Sequence, residues 1–373
     1  MEFAMFKHTA EIKLFSRWLL IGLLLVVAGI GAEAAGTKST KSASGLVPQV
    51  INTKRYYFLR DIARHYHYRL RLFPGGAELT GASRIKLYVN RRAGELNRLH
   101  IFFLFAPIAI NGRILIHEKD LYNVLDPVIG GKTIRRRPGM ILIDPGHGGD
   151  DPGALYGNAR EKHIAYLLAL ELAADLQAAG YPAMLTRHGD RTTSLRQRTL
   201  LCQRLKPAVL VSLHCNAHPS SAMRGVETYL VPPVGCMSTN SNRTGKTVLP
   251  GNRYDANNFR LAYEIQRSLI AGLKTRDQGI KHARFVVLRD SVCPAVLVET
   301  GFLSSPRERA LLLKTSYRRQ VAAAICAGLR NYFKIMNRSQ KTAPQFADAT
   351  ALPEPRQQVR SIKNRKKVSS SVR

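Results

Sequence analysis

Acidic side chains are scarce in this chain: 25 Asp and Glu stand against 57 Lys and Arg, a net charge of +32 over 373 residues. Such an imbalance serves solubility or an anionic partner. Nucleic acid is the usual anionic partner, but no basic stripe carries interleaved aromatics. Cysteine is sparse and irregular. Cys202, Cys215, Cys236, Cys293 and Cys326 are odd in number, which excludes a disulfide scaffold. Cys202 and Cys326 fall in helical apolar patterns and read as small core residues, while one bridge among the others stays open. There is no internal repeat. Neither a G-x-G-x-x-G nor a P-loop spacing occurs, so the sequence fingerprints of phosphate cradles are missing. H-E-x-x-H is also absent, because His117-Glu118 continues as Lys119-Asp120-Leu121. Any metal ligands must therefore converge from distant sequence.

Long hydrophobic runs are lacking too. The apolar stretch Trp18 to Gly31 is short for a bilayer-spanning helix and suits the h-region of a secretory signal. Basic residues from Lys7 to Arg17 precede it and Ala32-Glu33-Ala34 follows. The expectation is a signal peptide over residues 1–35, cut near Ala34 or Ala35, with an uncleaved anchor as the alternative. The first cysteine is Cys202, so none stands near the cut for lipid attachment. The mature protein is then expected in the periplasm or cell envelope, with no stable membrane insertion. Its acidic partner there is an envelope polymer, and no nucleic acid is expected.

Composition divides the remainder. Residues 36–44 read as a flexible leader rich in Thr, Lys and Ser. Residues 45–130 alternate, as in Arg69-Leu70-Arg71-Leu72-Phe73, between turn signals such as Pro74-Gly75-Gly76 and Asn111-Gly112. They predict a small strand-rich α+β domain with no catalytic cluster, a candidate for wall binding. Gly130-Gly131 precedes a basic linker over 131–139. From 140 to 335, apolar runs at Met140–Ile143, Ala183–Thr186, Val209–Leu213, Val226–Val231, Phe285–Leu288 and Ala295–Val298 predict strands. Helical patterns over Arg160–Ala178, Ser194–Leu205, Ala256–Leu273, Pro306–Leu313 and Tyr317–Phe333 lie between and after them. The prediction is an α/β fold, its mostly parallel sheet covered by helices on both faces. Residues 336–373 read as a disordered basic tail, either merely solvated or an electrostatic tether to an anionic envelope polymer.

Four short stretches carry chemistry: Asp144-Pro145-Gly146-His147-Gly148-Gly149, Arg160-Glu161-Lys162, Ser212-Leu213-His214-Cys215-Asn216 and Val298-Glu299-Thr300-Gly301-Phe302-Leu303. Three sit where an apolar strand ends, and ligands of open α/β sheets bind at the carboxyl ends of strands. His147 lies in a glycine-rich turn that leaves its ring uncovered, or makes one loop hydrogen bond. Glu161 opens a helix on the face shared by Ile164, Ala165 and Leu168, where a carboxylate needs a compensating partner. The competing reading is a capping box between Asn158 and Glu161. His214 shares a strand face with Ser212 and is either a core histidine or a ligand. Glu299 follows an apolar run, as a site residue or half of a buried ion pair. Together, two His and one Glu match the ligands of a catalytic zinc site with an open fourth position, and a second Glu is left for protons.

Residues from about Met140 to Phe333 resemble the zinc-dependent N-acetylmuramoyl-L-alanine amidases of bacterial cell-wall remodelling, the amidase-3 family. The matching stretches fall in the family's order. They are Ile143 to Gly149 with Asp151-Pro152-Gly153-Ala154; Arg160-Glu161-Lys162; Leu185-Thr186-Arg187 with Asp190, Ser194-Leu195 and Arg198; Val211 to His214; Gly225-Val226-Glu227; Val287-Leu288-Arg289; and Leu297-Val298-Glu299 with Gly301-Phe302-Leu303-Ser304. The resemblance implies one zinc ion held by His147, Glu161 and His214, with Glu299 as the catalytic carboxylate. It also implies peptidoglycan as substrate, for wall remodelling or daughter-cell separation; an activator protein remains open. The alternative is a non-catalytic wall binder on a degenerate amidase scaffold. The chain departs from the family pattern at Cys202-Gln203, Cys215 and Ser305. Cys215 could compete for zinc, but alternation points it away from His214. Some members block their cleft with an inserted helix, whereas the long loop Val234 to Ala256 lacks an apolar helical stripe, so an open site is expected. Upstream, Tyr57 to Ala63 and Ile110-Asn111-Gly112-Arg113 are similar to the small copper-amine-oxidase N-terminal-like domain that precedes wall hydrolases, with no copper implied.

Overall fold

A computed structural model describes residues 45–130, 139–241 and 243–338. The expected signal (1–35), leader (36–44), nearly all of the linker (131–139) and the tail beyond residue 338 lie outside the described residues. Among the described residues, nine strands precede residue 120: β1 (Gln49–Ile51), β2 (Lys54–Phe58), β3 (Arg69–Phe73), β4 (Gly76–Thr80), β5 (Arg84–Tyr88), β6 (Ala93–Leu96), β7 (Leu99–Phe102), β8 (Ile108–Ile110) and β9 (Arg113–His117). Eight follow: β10 (Ile141–Pro145), β11 (Leu155–Tyr156), β12 (Ala159–Arg160), β13 (Ala183–Leu185), β14 (Val209–Asn216), β15 (Val226–Leu230), β16 (Asp277–His282) and β17 (Ala295–Phe302).

Eleven of these make one sheet in the order β13-β10-β14-β17-β15-β16-β7-β6-β5-β4-β3. A mostly parallel sheet was the expectation, and the sheet is mixed. Pairings are parallel from β13 to β17, antiparallel between β17 and β15, and parallel again through β16 to β7. From β7 to β3 all pairs are antiparallel. The cause is local. Tight turns return the chain beside itself, and a two-residue hairpin can join only antiparallel strands. Asn97 and Arg98, between β6 and β7, both take positive φ (54° and 69°), as a type I′ turn requires. Asn111 and Gly112 do the same between β8 and β9 (48° and 71°). The early strands were expected to form a separate unit, yet Ile101 of β7 pairs with Ile280 of β16, so the meander extends the same sheet. Strands β1, β2, β9 and β8 form a second, antiparallel sheet.

Alternation along the central strands feeds two cores. Ile141, Ile143, Val209, Val211, Val296 and Val298 face the helices Glu161–Ala178, Asp255–Leu273 and Thr315–Arg338, packing with Leu168, Leu172, Phe259 and Leu329. The intervening Leu142, Leu210, Ala295 and Leu297 face the other way, onto Cys202 of the helix Leu195–Leu205 and Val287 and Leu288 of the helix Val286–Arg289. Each fully buried Leu, Ile or Val contributes roughly 1.5–3 kcal/mol of transfer free energy. Helices thus cover both faces where the site lies.

Two elements differ from expectation. Residues Val286–Arg289 form one helical turn where a strand was predicted, since so short an apolar run has no readable period. Strand β16 was not predicted, because Asp277-Gln278-Gly279-Ile280-Lys281-His282 is largely polar and Gly279 sits at a register shift with φ +93°. The last helix continues to Arg338 and buries Met336 completely, so residues 336–338, assigned to the tail from sequence, are helical. All five cysteines are unbridged and buried.

Candidate metal centre

Neighbouring strands β10, β14 and β17 end together, with Asp144 beside Ser212 and His214 beside Glu299. The chain leaving β10 turns through Gly146, whose N–H donates to the Leu213 carbonyl at 3.0 Å. A Cβ on Gly146 would stand 2.3 Å from the His214 ring, so only glycine admits that imidazole. His147 follows with φ +59°, a left-handed conformation that non-glycine residues seldom take.

Two buried guanidiniums hold this turn. Arg198 contacts Asp144 at 2.5 Å and donates to the Pro145 carbonyl at 2.7 Å and the His147 carbonyl at 2.5 Å. Arg187 donates to the carbonyls of Pro145 and Gly146, both at 3.1 Å. Asp144 also accepts from Thr186 (2.5 Å) and Ser212 (2.8 Å). Burial alone would push its carboxyl up, but Arg198 and the two hydroxyls outweigh burial and hold it below the usual carboxylate range.

Glu161 opens its helix without acting as a cap. Its Oε2 accepts from the Ala154 N–H at 2.8 Å and its Oε1 from the Cys215 N–H at 3.1 Å. The same Oε1 lies 3.1 Å from His147 Nε2 and 2.9 Å from His214 Nδ1. Ligand atoms of the three residues all lie within 4.8 Å of one another. Bonds of about 2.0–2.1 Å in tetrahedral geometry would set such atoms about 3.3 Å apart. The donor set, two imidazoles and a carboxylate, therefore fits one divalent ion with little movement. Gly153 completes the cradle: a Cβ there would come within 2.6 Å of Glu161 Oε2 and 2.7 Å of the His147 ring.

The free protein balances this cluster internally. Burial raises the Glu161 carboxyl, but bonding to both histidines overrides it and leaves it well below the usual range. Burial lowers His147, yet Glu161 and Asp151 lift it above the ordinary imidazole value. Asp151 Oδ2 stands 2.7 Å from His147 Nδ1, so it orients the ring and turns Nε2 toward the cluster. Asp151 was not assigned a role from sequence, although Asp151-Pro152-Gly153-Ala154 flagged the stretch. The N-x-x-E spacing of Asn158 and Glu161 proves incidental, since the helix N-cap is Arg160 and makes no side-chain cap bond.

Glu299 sits on β17 between His214 of β14 and Glu227 of β15, each its register partner. The residue keeps partial exposure, but its Oε2 is buried and has no hydrogen-bond partner. Burial, then the charges of Glu161 and Glu227, push its carboxyl well above the usual range, with Lys281 opposing. Glu227 was matched from sequence within Gly225-Val226-Glu227 but given no role. It accepts from Asn216 at 2.6 Å and Tyr229 at 2.7 Å and is ion-paired to Lys281. Cys215, the feared competitor, packs instead with Ala159, Ile164, Leu303 and Leu312, its Sγ 3.6 Å from Thr300. Ser305 simply caps the helix Pro306–Leu312 through the Glu308 N–H.

A family model described as N-acetylmuramoyl-L-alanine amidase matches residues 141–331, which contain the whole cluster. The chain belongs to this amidase family. The N-acetylmuramoyl-L-alanine amidase AmiC of Neisseria meningitidis is 33% identical over 239 residues, covering 58% of this chain and 57% of that protein. The amidase LytC of Bacillus subtilis is 34% identical over 224 residues, covering 59% of this chain and 39% of its own. This chain thus spans about half the length of these two relatives. A putative amidase of Buchnera aphidicola is 30% identical over 208 residues, covering 52% of this chain and 96% of its own. Among the described residues, no helix is long and apolar enough to cross a membrane.

Proposed function

We propose that this protein hydrolyses the amide bond between N-acetylmuramic acid and L-alanine in peptidoglycan, with one zinc ion held by His147, Glu161 and His214. The observation that carries the reading is the meeting of these three side chains at one point, with the Glu299 carboxyl on the adjoining strand. Family membership supplies the reaction class, and the relatives' names supply the bond. Zinc, when bound, supplies a Lewis acid that polarises the amide carbonyl and acidifies a water.

The chain's own residues do the rest. Asp151 fixes the His147 ring, and Arg187 and Arg198 fix the turn beneath it, so the ligands are held in place before an ion arrives. Glu299 takes a proton from the attacking water and returns it to the departing alanine nitrogen. In the metal-free chain, burial and the charges of Glu161 and Glu227 hold this carboxyl above the usual range, a group able to carry a proton. The cleft beside the loop Val234 to Ala256, which lacks an apolar helical stripe, is read as open. The N-terminal run supports export to the periplasm or envelope, and residues 45–130 and the basic tail are read as wall contacts.

Purified peptidoglycan, incubated with the protein with and without a chelator, tests the reading. Release of free stem peptides that stops on chelation and returns with zinc is the expected result. Binding without release in the zinc-loaded protein would refute it in favour of a wall binder.

A further inference from the structure

Two thiols meet in the core beneath the helix Leu195–Leu205. Cys202 Sγ lies 3.9 Å from Cys293 Sγ, and the two residues are 2% and 0% exposed. Cys202 is a core residue, as its helical pattern implied, and Cys293 stands just before β17. Leu142, Leu210, Leu288 and Ala295 belong to the same buried cluster. Ser291 sets the position of Cys293. Its hydroxyl donates to the Cys293 carbonyl at 2.9 Å and accepts from the Cys293 N–H at 3.3 Å. The same oxygen lies 3.4 Å from Cys293 Sγ and 3.7 Å from Cys202 Sγ. The other cysteines sit elsewhere: Cys215 against Thr300, Cys236 against the Val234 carbonyl and Cys326 in the larger core.

Such a pair can merely pack, hold a metal or become a bond. Among the described residues, the side chains that meet in a group of three or more possible ligands are His147, Glu161 and His214, so these two sulfurs have no third ligand. Mere packing leaves a buried thiol protonated and inert. Cys236 behaves so, pushed up to about 12 by burial, and burial also raises Cys326. Cys202 goes the other way. Contact with Cys293 outweighs burial and, helped by the Val292 N–H and Ser291, brings its thiol down to about 6. Its sulfur thereby gains thiolate character, the form that attacks a disulfide. A disulfide closes to about 2.05 Å, so each sulfur needs to move by only about 1 Å.

We propose that Cys202 and Cys293 are joined by a disulfide, made as the chain folds in the presence of a disulfide-bearing oxidant. Cys293, reachable before the core closes, first exchanges with the oxidant and carries one of its sulfurs as a mixed disulfide. The Cys202 thiolate then attacks Cys293 Sγ. The Sγ–Sγ bond forms, the bond to the oxidant's sulfur breaks, and that sulfur leaves as a thiolate and takes up a proton. Two cysteine thiols are oxidised and one external disulfide is reduced to two thiols, so electrons and protons balance. The proposal is independent of the amidase reading, and export to an oxidising compartment supplies the oxidant. The bond also bears on the site. Arg198, one turn before Cys202 on the same helix, holds the Asp144 carboxylate and the Pro145 and His147 carbonyls, and β17 carries Glu299. A bridge ties the support of the His147 turn to the strand of Glu299.

The test is a thiol count on the full-length protein, unfolded in urea with reductant and refolded with oxidised and reduced glutathione. The folded monomer is then denatured with an alkylating reagent, weighed and digested. Of the five cysteines, Cys215, Cys236 and Cys326 should be alkylated, and one linked peptide pair should carry Cys202 and Cys293. At equal zinc content the bridged form should melt roughly 3–7 °C above the reduced form, and reductant should erase the difference. Cys202→Ala/Cys293→Ala protein, taken through the same steps, should show no linked pair and no response to reductant. Five alkylated cysteines in folded wild type, or a linked pair through any other cysteine, would overturn the proposal. Should refolding yield no monomer, the count is made on folded protein purified under reductant and exposed to oxidised glutathione in sub-denaturing urea, with the same two outcomes deciding.

Discussion

Substitution of Glu299 by Gln separates its role in proton transfer from its role in the fold. The variant keeps the shape of the side chain and removes the proton carrier, while His147, Glu161 and His214 stay as they are. A positioned general base contributes about 10²–10⁴-fold to rate, so kcat on muropeptide should fall by that factor with one zinc per chain retained. The structure adds a second, opposite expectation. Glu299 Oε2 is buried without a partner and faces the charges of Glu161 and Glu227, so its carboxyl is pushed up. For such a group the folded state holds its proton longer than the unfolded state. Its contribution is therefore full below the unfolded value of 4.5 and is lost as pH rises toward the folded value. Each unit of that shift costs the wild-type apoprotein about 1.4 kcal/mol once the group is ionised. A neutral amide carries no such cost. Zinc-free Glu299→Gln should unfold at higher urea than zinc-free wild type, with a margin that widens as pH rises above 4.5. Retained turnover would remove Glu299 from the mechanism. Lost zinc or lower apoprotein stability at every pH would show that it is a ligand or a packing residue instead.

Glu161→Ala should abolish stoichiometric zinc binding by atomic absorption and also lower the melting temperature. It leaves the Ala154 and Cys215 N–H groups unpaired inside the protein, each at about 1–3 kcal/mol. Arg198→Ala should cost about 3–5 kcal/mol in urea unfolding, since it strands the buried Asp144 charge. A loss under 1 kcal/mol would mean that Thr186 and Ser212 suffice. Asp120 is buried against the N–H groups of Leu104 and Phe105, and burial pushes its carboxyl up to about 7. Its contribution to stability is full below the unfolded value of 3.8 and is lost as pH rises to about 7. Wild type should therefore lose up to about 1.4 kcal/mol per pH unit more than Asp120→Asn across that window. Parallel stability curves for the two proteins would refute the raised value.

How much of this could be read beforehand depended on whether the physics was local. His147, Glu161, His214 and Glu299 stood out because charged or polar residues follow buried apolar runs at only a few places, and three of those places are ends of adjacent strands. Membership of the amidase family was legible from the same stretches, and the family match covers them. What escaped was non-local. Strand β16 has no apolar run, because it is held by pairing with β15 and by Ile280 meeting Ile101, and neither partner is near in sequence. Missing β16 hid the link between the early meander and the rest of the sheet, which is why a mostly parallel sheet after a separate unit was expected. Glu161 shows the same limit at a single residue. Its spacing from Asn158 satisfied a capping rule, yet the carboxylate is used by two backbone amides and two histidines from elsewhere in the chain. A local rule names what a side chain can do with its neighbours. Where a buried carboxylate has stronger partners across the fold, their combined attraction outweighs the one amide a cap would have offered.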